Sequence, residues 1–179
     1  MGRRRSFSAM LTCTAGLEGV VSRELKQRIG VSATVPRSGR LHASMSTRQL
    51  YASNVFLRTA DRILIRAATF HAASMWELEL AIKRLKAAEL QDWICRDAPV
   101  VVRCEVSQCA LYHGSAIAQR VRNHLQAVDG ASDESGSQLV SLIGHRDLFQ
   151  LWVDATGAPL HQRGWNSFGG PNLLSHHAH

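Results

Sequence analysis

No apolar run in this 179-residue chain approaches the roughly 18–20 residues that a membrane-spanning helix needs, which argues for a soluble protein with no membrane partner. The four cysteines (Cys13, Cys95, Cys104 and Cys109) contain no Cys-x-x-Cys pair. Cys104 and Cys109 have poor zinc spacing, so free buried thiols in a reducing cytoplasm are expected and no metal. No nucleophile or paired carboxylate stands at a telling spacing from His113 or His161, which argues against acid–base chemistry. Asp154-Ala155-Thr156-Gly157 looks at first like an aspartic-protease triplet, but Ala155 interrupts it and no second copy supplies the paired carboxylate. Internal repeats are absent, and low complexity is confined to the tail, where His176, His177 and His179 read as untethered residues rather than a metal site.

Acidic residues are scarce in the front of the chain. Residues 1–70 hold twelve Lys/Arg against three acids, a net +9, whereas residues 71–179 hold nine against eleven, a net −2. The whole chain carries +7 with a pI near 9.9, which favours a polyanionic partner. Arginine supplies eighteen of the twenty-one basic residues. Its planar fork suits phosphate and stacks on bases, although a GC-rich genome would enrich it too. At 45% hydrophobic and 20% charged residues the chain is globular, and its length suits one medium domain or two small ones.

The amino terminus matches two targeting patterns, Met1-Gly2 with Ser6 for myristoylation and Arg4-Arg5 for twin-arginine export. The apolar stretch behind them is short, carries Thr12 and Thr14, and runs straight into Glu18. A basic arm, Arg3-Arg4-Arg5, leading into a first strand is the simpler reading.

Apolar periodicity orders the chain. Residues 7–15 alternate as a strand, and residues 16–30 place Leu17, Val21, Leu25 and Ile29 at helical spacing before a closing Gly30. Residues 31–36 and 40–45 are two strands turned at Ser38-Gly39. Residues 47–57 form a short helix carrying Leu50, Tyr51, Asn54 and Val55, and residues 62–70 return as a strand. This β-α-β-β-α-β order is that of a ferredoxin-like unit. A second unit starts at a Ser74-x-x-Glu77 capping box. It continues with a helix burying Leu78, Ile82 and Leu85, a strand at 99–106, a helix at 114–128, a loop at 129–137, and a hairpin of 138–145 with 148–154. The expected class is α+β: two α/β sandwiches in series, residues 1–70 and 71–165, with an irregular tail at 166–179.

Within this frame the candidate binding residues are charged or aromatic. Tyr112-His113 precede a helix N-terminus, where backbone N–H groups favour phosphate, although a packed tyrosine fits equally. Arg103 faces away from the valine stripe of its strand and is placed to line a groove, while Arg120 and Arg122 project from the last helix. Arg163 either contacts a ligand or pins a linker by hydrogen bonds.

Four stretches carry a family resemblance: Gly16-Leu17-Glu18 with Glu24-Leu25; Asn54-x-x-Leu57-Arg58-Thr59-Ala60-Asp61-Arg62-Ile63-Leu64; Ser107-x-x-x-Leu111-Tyr112-His113; and Asp154-Ala155-Thr156-Gly157-Ala158-Pro159-Leu160-His161-Gln162-Arg163-Gly164-Trp165. Together they resemble the ferredoxin-like plus THUMP region at the front of large-subunit rRNA guanine-N2 methyltransferases and related tRNA enzymes. The resemblance implies a chain that grips structured RNA, rRNA or else tRNA, through Arg58, Arg62, Arg103, Tyr112, His113, Arg120, Arg122, His161 and Arg163. In that family a following domain binds S-adenosylmethionine and methylates a guanine amine, using a glycine-rich turn and an Asn/Asp-Pro-Pro-aromatic loop. The four prolines here are never adjacent and no Gly-x-Gly-x-x-Gly follows a strand, so neither device is present, and no catalytic residue or cofactor is expected in this chain. After Trp165 the sequence departs from the family pattern. A protein-interaction module docking on a separate methyltransferase, or an inactive truncated remnant, are the other readings.

Overall fold

The computed structural model describes residues 6–85, 93–94, 99–125 and 137–160. Its strands are β1 (Ser6–Thr12), β2 (Ala33–Arg37), β3 (Arg40–Ser46), β4 (Arg62–His71), β5 (Val100–Ser107), β6 (Gln138–His145) and β7 (Leu148–Asp154). The helices are α1 (Glu18–Ile29), α2 (Thr47–Phe56), α3 (Met75–Arg84) and α4 (Gly114–His124). The expected α+β architecture is observed: a ferredoxin-like β-α-β-β-α-β unit followed by an α/β unit.

Local chemistry accounts for the boundaries. α1 ends because Gly30 takes the left-handed conformation, φ 76°, and returns its N–H to the Lys26 carbonyl. α2 starts at a reciprocal capping box between Ser46 and Gln49. At α3 the expected box is only half made. Ser74 accepts from the Glu77 N–H, but the Glu77 carboxylate reaches one residue further back, to the Ala73 N–H at 2.7 Å. The β6–β7 hairpin turns on Arg146 and Asp147, both at positive φ (50° and 61°), which matches the twist of the flanking strands. In α2 the buried positions are Leu50 and Ser53, whereas Tyr51 and Val55 face outward.

All seven strands form one sheet in the order β2-β3-β1-β4-β7-β6-β5. β4 belongs to both units. One edge pairs with β1 (Ala9↔Ile65 to Thr12↔Arg62), and the other pairs with β7 from Leu64↔Asp154 to His71↔Leu148. Residue 70 lies in β4, and the two units share a continuous sheet. Only β5 and β6 are parallel, joined through α4.

Side-chain parity sends most of the core to one face, with a smaller buried cluster of Met10, Leu64 and Trp152 on the other. Leu11, Leu41, Ile63 and Ile65 pack under Val21 and Leu25 of α1 and Leu50 of α2. Val140, Leu142, Leu151 and Val153 pack under Leu78 and Ile82 of α3 and Ile117 and Val121 of α4. Trp93 packs against both clusters. The opposite face carries no described helix and curls upon itself. β3 and β5 are five strands apart, roughly 24 Å in a flat sheet. Nevertheless Arg40 of β3 donates to Glu105 of β5 at 2.5 Å.

Glu18 ties the start of α1 to the β2–β3 turn. Its carboxylate accepts from the backbone N–H of Gly39 at 2.5 Å, from Gly16 at 3.0 Å and from the Ser38 hydroxyl at 3.2 Å. The backbone N–H groups of Gly39, Glu18 itself and Gly16 hold its pKa at about 2, against an ordinary 4.5. A lowered carboxylate stabilises fully above its unfolded value and loses that effect as pH falls through its folded one. The melting temperature of Glu18→Gln should therefore lie below wild type above about pH 5, and the gap should close as pH approaches 2. A gap unchanged at that pH contradicts the staple.

A second test addresses the rear core. A Cβ at Gly144 would lie 2.6 Å from the ring of Phe149, which is fully buried and stacked on Phe70 with centroids 5.9 Å apart. Gly144→Ala should cost about 1–3 kcal/mol in chemical denaturation, because that ring has no room to retreat. A neutral result would show a compliant core there.

Candidate nucleic-acid interface

The helix-free face is built by strand register. Arg103, Ser141, Trp152 and Arg66 are successive cross-strand partners on β5, β6, β7 and β4. The row continues through Ser8, whose hydroxyl accepts from Arg66 at 2.7 Å, to its β3 partner Ser44. Cross-strand partners share a face, so these six side chains form a polar band across the curled sheet. Arg66 lies over the buried Trp152 indole, 5.8 Å from the ring centroid, and His42 packs on the same ring at 5.3 Å. Burial first, then the charges of Arg66 and Arg40, hold the His42 imidazole below its ordinary 6.5. Arg37 joins Arg40 around Glu105, at 3.6 Å. Arginines (Arg37, Arg40, Arg62, Arg66 and Arg103) thus outnumber the acids Glu105 and Asp154 on this face.

A second exposed cluster sits where the β5–α4 loop meets the β6–β7 turn. The Asp147 carboxylate accepts from the Ala110 N–H at 2.7 Å, Ser107 and His145 share a hydrogen bond of 2.9 Å, and Arg146 donates to the Gln108 side chain at 3.1 Å. These bonds fix the loop that presents Tyr112 and His113, both exposed, with ring centroids 4.1 Å apart. His113 is the residue preceding α4 and makes no side-chain cap.

The structure scatters the nominated residues. Tyr112 and His113 are together and solvent-facing. Arg103 is exposed on the helix-free face, some distance in sequence from both. Arg120 is paired with Glu79 of α3, and Arg122 donates to Gln119 at 3.0 Å on its own helix. The exposed Arg58 follows α2, its backbone N–H bound by the Glu24 carboxylate, which also accepts from the Thr59 hydroxyl at 2.6 Å. His161 and Arg163 lie outside the described residues, as do Arg3–Arg5 and residues 129–136 of the expected loop.

Arg62 is a structural tie. Its guanidinium donates to Asp154 at 2.5 Å and to the Gly157 carbonyl at 2.8 Å, with the Asp154 side chain almost fully buried. Thr156 completes the joint by accepting from the Ile63 N–H at 2.7 Å and donating back to the Ile63 carbonyl. Leu160 then enters the front core. Sequence reasoning missed Arg146, Arg66, His42 and Trp152. The first sits in a turn that was expected, but the other three gain meaning only from the register of distant strands.

The described residues hold no cluster of metal-ligating groups. Cys13 and Cys104 are free, and burial above all pushes both thiols up, Cys104 to about 11, so neither is an activated nucleophile. The fold is a two-unit α+β region on one continuous sheet. Residues 8–64 match the family model of the RlmL ferredoxin-like domain. The chain is 31% identical over 165 residues to the ribosomal RNA large subunit methyltransferase K/L of Alcanivorax borkumensis, covering 89% of this chain and 22% of that one. It is 25% identical over 172 residues to the protein named Putative RNA methyltransferase YpsC of Bacillus subtilis, covering 90% and 43%. The crystal structure of a Listeria monocytogenes protein titled a predicted N6-adenine-specific DNA methylase superposes with a TM-score of 0.73 at 24% identity, covering 93% of this chain and 44% of that one. The chain thus spans less than half the length of these relatives.

The two kinds of arginine separate experimentally. Arg62→Ala should cost about 3 kcal/mol, because it strands a buried carboxylate. Arg120→Ala should stay within about 0.5 kcal/mol, because its pair is solvent-exposed. Equal stabilities of the two variants in urea titrations would refute the tie.

Proposed function

We propose that this chain is the RNA-gripping part of an RNA methyltransferase system, with the rear unit acting as a THUMP domain. It would position structured RNA, rRNA in the first instance, for guanine-N2 methylation in the cytoplasm. The observation that carries the reading is the homology to RNA methyltransferases over nine-tenths of the chain. Two physical features support it. Arginine-rich surface lies on the helix-free face, and a rigidly held loop presents Tyr112, His113 and Arg146 at the start of α4. Backbone N–H groups at that helix start attract phosphate, and the two rings are able to stack on an unpaired base. Methyl transfer requires S-adenosylmethionine. That cofactor would be held by a separate methyltransferase domain. Among the described residues no helix is long and apolar enough to cross a membrane.

Recognition of this kind depends on backbone charge and shape, because A-form grooves hide base edges. The affinity of the chain for a structured rRNA fragment should fall steeply with salt, each neutralised phosphate adding roughly 0.7–0.9 to the log–log slope. Arg146→Ala should flatten that slope by about one contact, and Tyr112→Ala should weaken binding about equally at all salts, without lowering the melting temperature. Salt-independent affinity, or no binding to any structured RNA at low salt, refutes the proposal.

A further inference from the structure

We infer that a pocket on the helix-free face, between His42, Arg66 and Trp152, is a subsite for one phosphorylated nucleotide of an RNA strand. The inference rests on the RNA-binding reading and adds a place and a ligand to it. The pocket has a volume of about 310 Å³, and its polar lining comes chiefly from Ser8, Thr34, His42, Ser44, Arg66 and Trp152. That volume is at the small end of ligand pockets, enough for a single nucleotide and too little for a duplex.

The lining is one-sided in its chemistry. It contains an arginine, hydroxyls, an imidazole and an indole, and no carboxylate. Such a set suits a ligand rich in acceptors and bearing negative charge. Arg66 is held in place by Ser8 and the Trp152 ring, and the bond to Ser8 uses only one of its five N–H donors. An oriented guanidinium is the group that binds phosphate in a two-pronged manner. His42, packed on the Trp152 ring, adds an imidazole that can donate or accept a hydrogen bond.

An independent observation points the same way. The indole N–H of Trp152 is buried and has no hydrogen-bond partner among the described residues. Buried donors in native proteins are nearly always satisfied. An acceptor brought by the ligand would satisfy this one. The arrangement of arginine and aromatic rings on an open sheet face is also one that accepts unstacked bases of single-stranded RNA.

The experiment follows the Trp152 indole N–H by proton–nitrogen NMR in the full 179-residue chain, its resonance assigned by loss in Trp152→Phe. The probes are inorganic phosphate, adenosine and uridine 5′-monophosphates, and a short single-stranded oligoribonucleotide, with structured-RNA binding measured in parallel. The resonance should move saturably with the mononucleotides and the oligoribonucleotide, and Arg66→Gln should weaken both by about tenfold. Thr34→Val and Ser44→Ala, at the pocket wall, carry the same test if Arg66→Gln folds poorly. A resonance that no probe moves overturns the subsite while structured-RNA binding, if present, leaves the broader reading intact. Phosphate binding as tightly as the mononucleotides overturns the nucleotide assignment in favour of a bare anion site. A shift with mononucleotides in a chain that binds no RNA overturns RNA as the source.

Discussion

The structure depends on one strand being long enough to serve two partners. β4 pairs with β1 near its start and with β7 from Leu64 to its end. Because both ladders are on the same strand, both units inherit one pleat, and inward and outward positions cannot be chosen separately. Ile65 and its partner Val153 lie on the helix-covered face, while Arg66 and its partner Trp152 lie on the other. The two pairs of helices are therefore forced to the same side. The opposite side becomes a single surface shared by two units that could have been independent.

The joint is secured beyond backbone pairing. Arg62 and Asp154 are ninety-two residues apart in sequence, yet their ion pair, the Gly157 carbonyl and the Thr156 bonds to Ile63 close the end of the ladder. The stretches that carry the family resemblance share this character. Glu18 staples the β2–β3 turn, Glu24 holds the loop after α2, and Asp154 and Thr156 secure the return to the front core. A carboxylate that accepts backbone N–H groups has few substitutes, since even glutamine offers a weaker acceptor with its own donors to satisfy. Motif residues of this kind report how the scaffold is held, not where a ligand sits.

That distinction explains how far the sequence could be read. Strands and helices were legible because alternation and 3.6-residue spacing are local, and the caps at Gly30 and the hairpin at Arg146–Asp147 rest on adjacent residues. The box at Ser46–Gln49 was equally local and was overlooked, hidden by a helix with little apolar contrast. The tie from Arg62 to Asp154 has no local signature, because its partner lies ninety-two residues along the chain. For Tyr112 and His113 the sequence leaves a packed and an exposed tyrosine equally open, and the structure places both rings in solvent. The band from Arg103 to Ser44 had no local signature. It exists only once β5, β6, β7, β4, β1 and β3 are aligned in register.

The charge asymmetry changes meaning in the same way. Along the sequence, positive charge belongs to the front and a slight negative excess to the rear, which invites the view that the front unit alone attracts a polyanion. In the fold, Arg37 and Arg40 from the front meet Glu105 from the rear, and Arg62 meets Asp154. Rear acids neutralise part of the front charge, Glu105 where the curled sheet brings β3 and β5 together and Asp154 at the joint. Arg66 lies beside Trp152 on the same face, to which the rear unit contributes Arg103. The surface best suited to an anionic partner is therefore owned by neither unit. It arises from their shared sheet, and any change that loosens the β4–β7 ladder should alter that surface before it alters either core.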